Sequence, residues 1–155
     1  MGKLIDRVVV TPLAVIPLAA GDVMHAMKSS SSGYTGFGEA YFSCLAPGAM
    51  KGWKKHSRMT LNLVVPVGVV RFGIVDADTQ EARLYQLGPQ NYARLTVPPG
   101  LWMAFRSGST ETSIVLNLAD IEHDPSEAET LAQDAMPFDW SAPVWIIGSE
   151  QVLAS

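Results

Sequence analysis

Proline and glycine cut this chain into runs of strand length. Ten prolines and thirteen glycines are spread over 155 residues, and the runs between them carry β-branched and aromatic residues in two-residue alternation. Strands are expected at 38–45, 59–65, 69–75, 82–87, 92–97, 102–106 and 112–118. Pro66-Val67-Gly68, Gly88-Pro89 and Ser107-Gly108-Ser109 supply the turns between them. One short helix is expected, at 126–135, because Pro125 and Ser126 suit its start and Glu127 and Glu129 its first turn. This is the pattern of an all-β sandwich or barrel. The length suits a single domain over 1–155.

Composition narrows the function classes. Hydrophobic residues make up 48% of the chain, enough for an ordered core. The net charge is −4, and basic residues are scattered apart from Lys51, Lys54, Lys55 and Arg58, so no nucleic-acid partner is expected. Pro12 and Pro17 break the apolar part of the first twenty residues and Asp6 precedes it, which argues against a membrane span or signal peptide and leaves the cytoplasm as the expected location. Cys44 has no second cysteine to pair with and is expected as a buried thiol. The apolar run Val144-Trp145-Ile146-Ile147 is expected to pack on the barrel or on a second subunit.

Two segments repeat one theme, a turn followed by an aromatic strand. They are Pro47-Gly48-Ala49-Met50-Lys51-Gly52-Trp53-Lys54-Lys55-His56 and Val97-Pro98-Pro99-Gly100-Leu101-Trp102-Met103-Ala104-Phe105, with Gly68 between them. Together with Phe37-Gly38-Glu39-Ala40-Tyr41-Phe42-Ser43, the run from Gly68 to Asp76 and His123-Asp124-Pro125-Ser126-Glu127, they resemble the dTDP-4-dehydrorhamnose 3,5-epimerase (RmlC-like cupin) family over roughly residues 20–140. The resemblance implies an antiparallel β-barrel, or jelly roll, with a ligand pocket inside. It implies a homodimer paired through N-terminal strands, here around Val8-Val9-Val10. It implies a nucleotide-sugar ligand and no cofactor. In that family a histidine oriented by an aspartate removes a proton beside a sugar ketone, a lysine stabilises the enolate and a tyrosine returns a proton.

Carried over by position, the family's arginine-glycine-leucine-histidine run falls on Lys51-Gly52-Trp53-Lys54. The base position is thus Lys54, with His56 two residues on. The lysine falls near Leu61, the aspartate near Phe72, a second histidine on Met103 and the tyrosine near Asn117. The resemblance to metal-binding cupins puts the four ligand positions on Lys54, His56, Leu61 and Met103, and one imidazole among them does not hold a metal.

Lys54 and His56 share strand parity and are the candidate catalytic pair, a cationic grip on phosphate or carbonyl, or else a solvated rim. Glu39, Tyr41 and Ser43 alternate on one face, toward sugar hydroxyls or toward solvent. Asn117 is a pocket amide or a satisfied core amide. Trp102 and Trp53 stack on a ligand or fill a core. Arg71 and Arg106 are candidate diphosphate contacts, although Arg71 and Phe72 have opposite parity and one must face away. Phe72 and Met103 complete the candidate substrate-binding set, with Leu61, Leu63, Val70 and Ile74 as apolar lining. Two functions follow: an epimerase or isomerase-like sugar-nucleotide cupin acting on a dTDP-keto-deoxysugar, or a non-catalytic cupin that binds a carbohydrate or nucleotide.

Overall fold

The computed structural model describes residues 2–145 and the backbone of 152–153. Its strands are β1 (Val9–Pro12), β2 (Val15–Ile16), β3 (Val23–Met24), β4 (Glu39–Leu45), β5 (Met50–His56), β6 (Leu61–Val67) and β7 (Val70–Asp76). They continue with β8 (Glu81–Leu87), β9 (Ala93–Val97), β10 (Trp102–Ser107), β11 (Ser113–Ala119), β12 (Ala128–Thr130), β13 (Val144–Trp145) and β14 (Val152–Leu153). Two sheets hold nearly all of them, a five-stranded one ordered β1-β9-β6-β11-β4 and a seven-stranded one ordered β12-β5-β10-β7-β8-β13-β14. The short β2–β3 hairpin stands apart. This is the jelly-roll barrel expected of a cupin, and every strand pair but β13–β8 is antiparallel.

Alternation builds the core between the sheets. Leu61, Leu63, Val65, Leu95, Val97 and Val115 from one sheet meet Val70, Phe72, Ile74, Tyr85, Leu87 and Met103 from the other. Each such side chain removed from water contributes roughly 1.5–3 kcal/mol. Gly68 turns the chain between β6 and β7 with φ +85°, and a Cβ there would collide with Ser113 at 2.7 Å or less. A second, smaller cluster lies on the outer face of the seven-stranded sheet. Trp53, Val75, Trp102 and Ala104 pack there under Met136, Phe138 and Trp140.

Two expectations change. Residues 126–135 form no helix: a single 3₁₀ turn at Pro125–Glu127 leads directly into β12. Asp124 does cap the start, accepting from Ser126 N at 3.0 Å. The chain then leaves the helical path because Glu127 turns inward and residues 128–130 pair with the free edge of β5. Cys44 is exposed, on the outward side of β4. Trp145 does pack against the barrel core and Val144 is buried beside β8, whereas Ile146 and Ile147 lie outside the described residues. Among the described residues no helix is long and apolar enough to cross a membrane.

Candidate functional site

One mouth of the barrel opens into a cavity of about 190 Å³. Its walls come from both sheets: Tyr41 and Ser43 on β4, Leu61 and Leu63 on β6 and Asn117 on β11 face Lys51, Lys54 and His56 on β5. Met103 and Phe105 of β10 close the base. Local geometry on β5 makes this possible. Gly52 has φ +115°, and a Cβ there would lie 2.7 Å from Ala104 Cα. Only glycine allows β5 to press so closely on β10, whose register shifts between Met103 and Phe105 at this point. Beyond it the strand alternates. Lys54 and His56 turn into the cavity, while Trp53 enters the outer cluster and Lys55 pairs with Glu129 at 3.2 Å.

His56 is the best-defined side chain of the site. It is 9% exposed, and its Nδ1 meets Oε1 of Glu127. The other carboxylate oxygen of Glu127 accepts from the backbone N–H groups of Ser57 at 3.2 Å, Arg58 at 3.1 Å and Met59 at 3.2 Å. Burial pushes the Glu127 carboxyl up, but the hydrogen bonds from His56 and from the Arg58 and Met59 amides hold it below its ordinary value. Glu127 is therefore a carboxylate, which only accepts. His56 must donate from Nδ1, and Nε2 is left as the ring nitrogen available to the cavity.

Asn117 is fixed in a similar way. Its Oδ1 accepts from Asn62 N at 3.2 Å, so its Nδ2 faces Tyr41 and donates to the phenol oxygen at 2.9 Å. The Tyr41 hydroxyl then keeps its own proton for a partner in the cavity. Tyr41 and His56 thus bring two proton-carrying groups to the cavity from different sheets. Among the described residues no Asp or Glu lines the cavity, and Lys51 and Lys54 make no ion pair. Two ammonium groups without counter-charges give the mouth a positive potential suited to an anionic ligand. Among the described residues, no three His, Cys, Asp or Glu side chains converge as a metal site would require.

Of the residues singled out in the sequence, Lys54, His56, Tyr41, Ser43, Met103 and Asn117 come together here, with Leu61 and Leu63 of the expected apolar lining. The others stand elsewhere. Glu39 accepts from the backbone of His123 at 2.9 Å. Phe72 is fully buried in the core, where its ring lies 5.7 Å from Phe105. Arg71 bonds Gln86 and the carbonyl of Trp140 on the outer face of its sheet. Trp102 belongs to the outer cluster, and Arg106 shares its parity and is exposed. The carboxylate beside the histidine, looked for near Phe72, is Glu127. It lies 71 residues after His56, and its one sequence signal was the His123-Asp124-Pro125-Ser126-Glu127 fragment. Lys51 and Phe105 also line the cavity without having been singled out for it.

Solved structures share this architecture. A dTDP sugar isomerase from Desulfovibrio desulfuricans is 33% identical, with a TM-score of 0.84 over 90% of this chain and 94% of that one. A sugar 3,4-ketoisomerase from Thermoanaerobacterium thermosaccharolyticum, in complex with TDP, is 15% identical over 79% of this chain and 86% of that one, at a TM-score of 0.69. A dTDP-4-dehydrorhamnose 3,5-epimerase from Bacillus anthracis, with TDP and pyrophosphate bound, is 17% identical over 93% and 91%, at a TM-score of 0.74. At those lower identities the likeness is one of fold. No protein-family model and no curated protein matches the sequence.

Proposed function

This chain belongs to the RmlC-like cupin family of dTDP-sugar isomerases and epimerases, and from that premise we propose that it is an enolising isomerase or epimerase of a dTDP-4-keto-deoxysugar. The observation that carries the reading is His56. Its Nδ1 is held by an ionised Glu127 and its Nε2 is left for a cavity flanked by Lys51 and Lys54.

The chemistry follows from the donor set. His56 Nε2 takes the proton from the carbon beside the ketone. The C–H electron pair forms the enolate double bond, and the carbonyl π pair moves onto oxygen, where the Lys54 ammonium balances the charge. Glu127 stabilises the imidazolium. In an isomerase the imidazolium returns the proton to the neighbouring carbon, after a proton has passed between the two enediol oxygens. In an epimerase the Tyr41 phenol protonates the same carbon from the opposite face. Lys51 meets the diphosphate at the mouth. No cofactor is needed, because no electrons leave the sugar.

The reading extends to a single catalytic domain working as a homodimer in the cytoplasm, within nucleotide-sugar supply for polysaccharide synthesis. Exposed Val9, Val15, Ile16, Leu18 and Val23 support pairing with a second copy around β1 and the β2–β3 hairpin. The test is to incubate the protein with dTDP-4-keto-6-deoxyglucose and follow the sugar protons by NMR. A shifted ketone or an inverted carbon supports the proposal. Tight TDP binding with an unchanged sugar would leave a binding cupin in its place.

A further inference from the structure

A second cavity, of about 220 Å³, lies under the segment that carries residues 25–31 and is lined by Thr11, His25, Lys28, Ser31 and Arg94 among others. It shares no lining residue with the barrel mouth. Arg94 is on β9, between Ala93 and Leu95, which point into the core, so its own side chain leaves the opposite face of the five-stranded sheet.

Arg94 is 1% exposed. Its Nε donates to Asn62 Oδ1 at 3.2 Å, Nη1 to the Ala26 carbonyl at 2.9 Å and Nη2 to the Ser32 carbonyl at 2.7 Å. A guanidinium has five N–H donors. One N–H on each terminal nitrogen is therefore unspent among the described residues. All three acceptors are neutral, and no carboxylate pairs with Arg94 or Lys28 among the described residues. Burial alone pushes the Arg94 guanidinium below its ordinary value, with no anion to oppose it. A clamp for two carbonyls needs donors, not a charge. A buried charge without a counter-charge is costly, and Lys28 at the same cavity adds to the positive potential. No Asp or Glu is among the lining residues.

We propose that this cavity is an oxyanion site, built to take a phosphoryl group between the free edge of the Arg94 guanidinium and the Lys28 ammonium, with the Thr11 and Ser31 hydroxyls in reach. Planar N–H pairs suit two phosphate oxygens at once, and a lysine supplies the remaining point charge. The site shares no lining residue with the barrel mouth that takes the reacting sugar. Its occupancy would stiffen residues 25–32, which Arg94 ties to the sheet through two carbonyls.

The probe is inorganic phosphate, titrated in a thermal-unfolding assay at constant ionic strength set with chloride. The protein carries Lys51→Ala and Lys54→Ala, so that the barrel mouth does not compete. At a concentration about tenfold above Kd, phosphate should raise Tm by about 3–6 °C. The surface change Lys28→Ala should cut the affinity about tenfold or more in this background and, made alone in the wild-type protein, should leave sugar-nucleotide turnover unchanged. Arg94→Lys, which keeps the charge and loses the fork, should abolish most of the shift. Phosphate and chloride giving the same Tm, or a phosphate shift that survives Lys28→Ala and Arg94→Lys intact, would overturn the proposal. The second result would mark a general salt effect on burial. A matching titration with acetate separates a phosphoryl site from one that accepts any carboxylate, and equal shifts for acetate would contradict the class named here.

Discussion

Replacing Glu127 by glutamine changes one atom and tests two consequences at once. The carboxylate accepts three backbone amides on Oε2 and the His56 ring on Oε1. In Glu127→Gln the amide oxygen best serves the three N–H groups, because turning it the other way would set an NH₂ group against three donors. The NH₂ group then faces His56 Nδ1 and forces that nitrogen to accept. The imidazole proton moves to Nε2, and the cavity meets an N–H where it had a lone pair. Loss of the correct tautomer in a carboxylate–histidine pair costs about 10⁴-fold in turnover where it has been isolated in a serine protease, and a loss of about 10³–10⁴ is expected here. Stability falls too. Bonds to a charged acceptor contribute about 1.5–3 kcal/mol each and bonds to a neutral one about 0.5–1.5. With two of the three amides only partly buried, the net cost is about 2 kcal/mol, or about 4–8 °C in Tm. The assay pairs deuterium exchange at the sugar with ¹⁵N chemical shifts of the His56 ring. Exchange within threefold of wild type, or a ring proton still on Nδ1, would refute the reasoning.

Acid stability carries a sign of its own. The folded carboxyl of Glu127 lies below its ordinary value of 4.5, so its contribution is complete above that pH and is lost as pH falls through the lower folded value. Wild type should lose stability below about pH 4.5 more steeply than Glu127→Gln, which has no such proton to bind. Lys54→Met, similar in length but uncharged, should slow exchange about 10²-fold or more while TDP still binds through Lys51, as measured by calorimetry. Tyr41→Phe separates the two chemistries. An epimerase should lose inversion yet still wash in deuterium, whereas an isomerase should keep product formation within about tenfold. Gly52→Ala should destabilise by about 2–4 kcal/mol in denaturant unfolding, because the added methyl meets Ala104 Cα at 2.7 Å in a backbone conformation with φ +115°.

Much of the barrel was legible because its strands alternate and its turns are marked by glycine and proline. The expected run at 69–75 lies within one residue of Val70–Asp76, and the run at 82–87 within one of Glu81–Leu87. The expected helix failed for a local reason. The same Pro125-Ser126-Glu127 that suits a helix start also suits a single capped turn, and local preference does not register three unpaired N–H groups waiting near residue 58. Parity placed Lys54 and His56 together, and the same rule, applied from an inward Met103, sets Trp102 and Arg106 on the other side. Arg71 follows suit beside an inward Phe72. Parity could not reach Glu127, because a contact between residues 56 and 127 leaves no periodic trace in either segment, and the 123–127 fragment alone pointed there.

The account stands on His56 as the group that moves a carbon-bound proton. The direct measurement is deuterium incorporation into dTDP-4-keto-6-deoxyglucose in D₂O, followed by NMR for wild type and for His56→Asn at matched folded concentration. The account predicts incorporation at a carbon beside the ketone with wild type and a loss of at least about 10³-fold with the variant. Incorporation by the variant at the wild-type rate, or none by wild type with the nucleotide sugar bound, would contradict it.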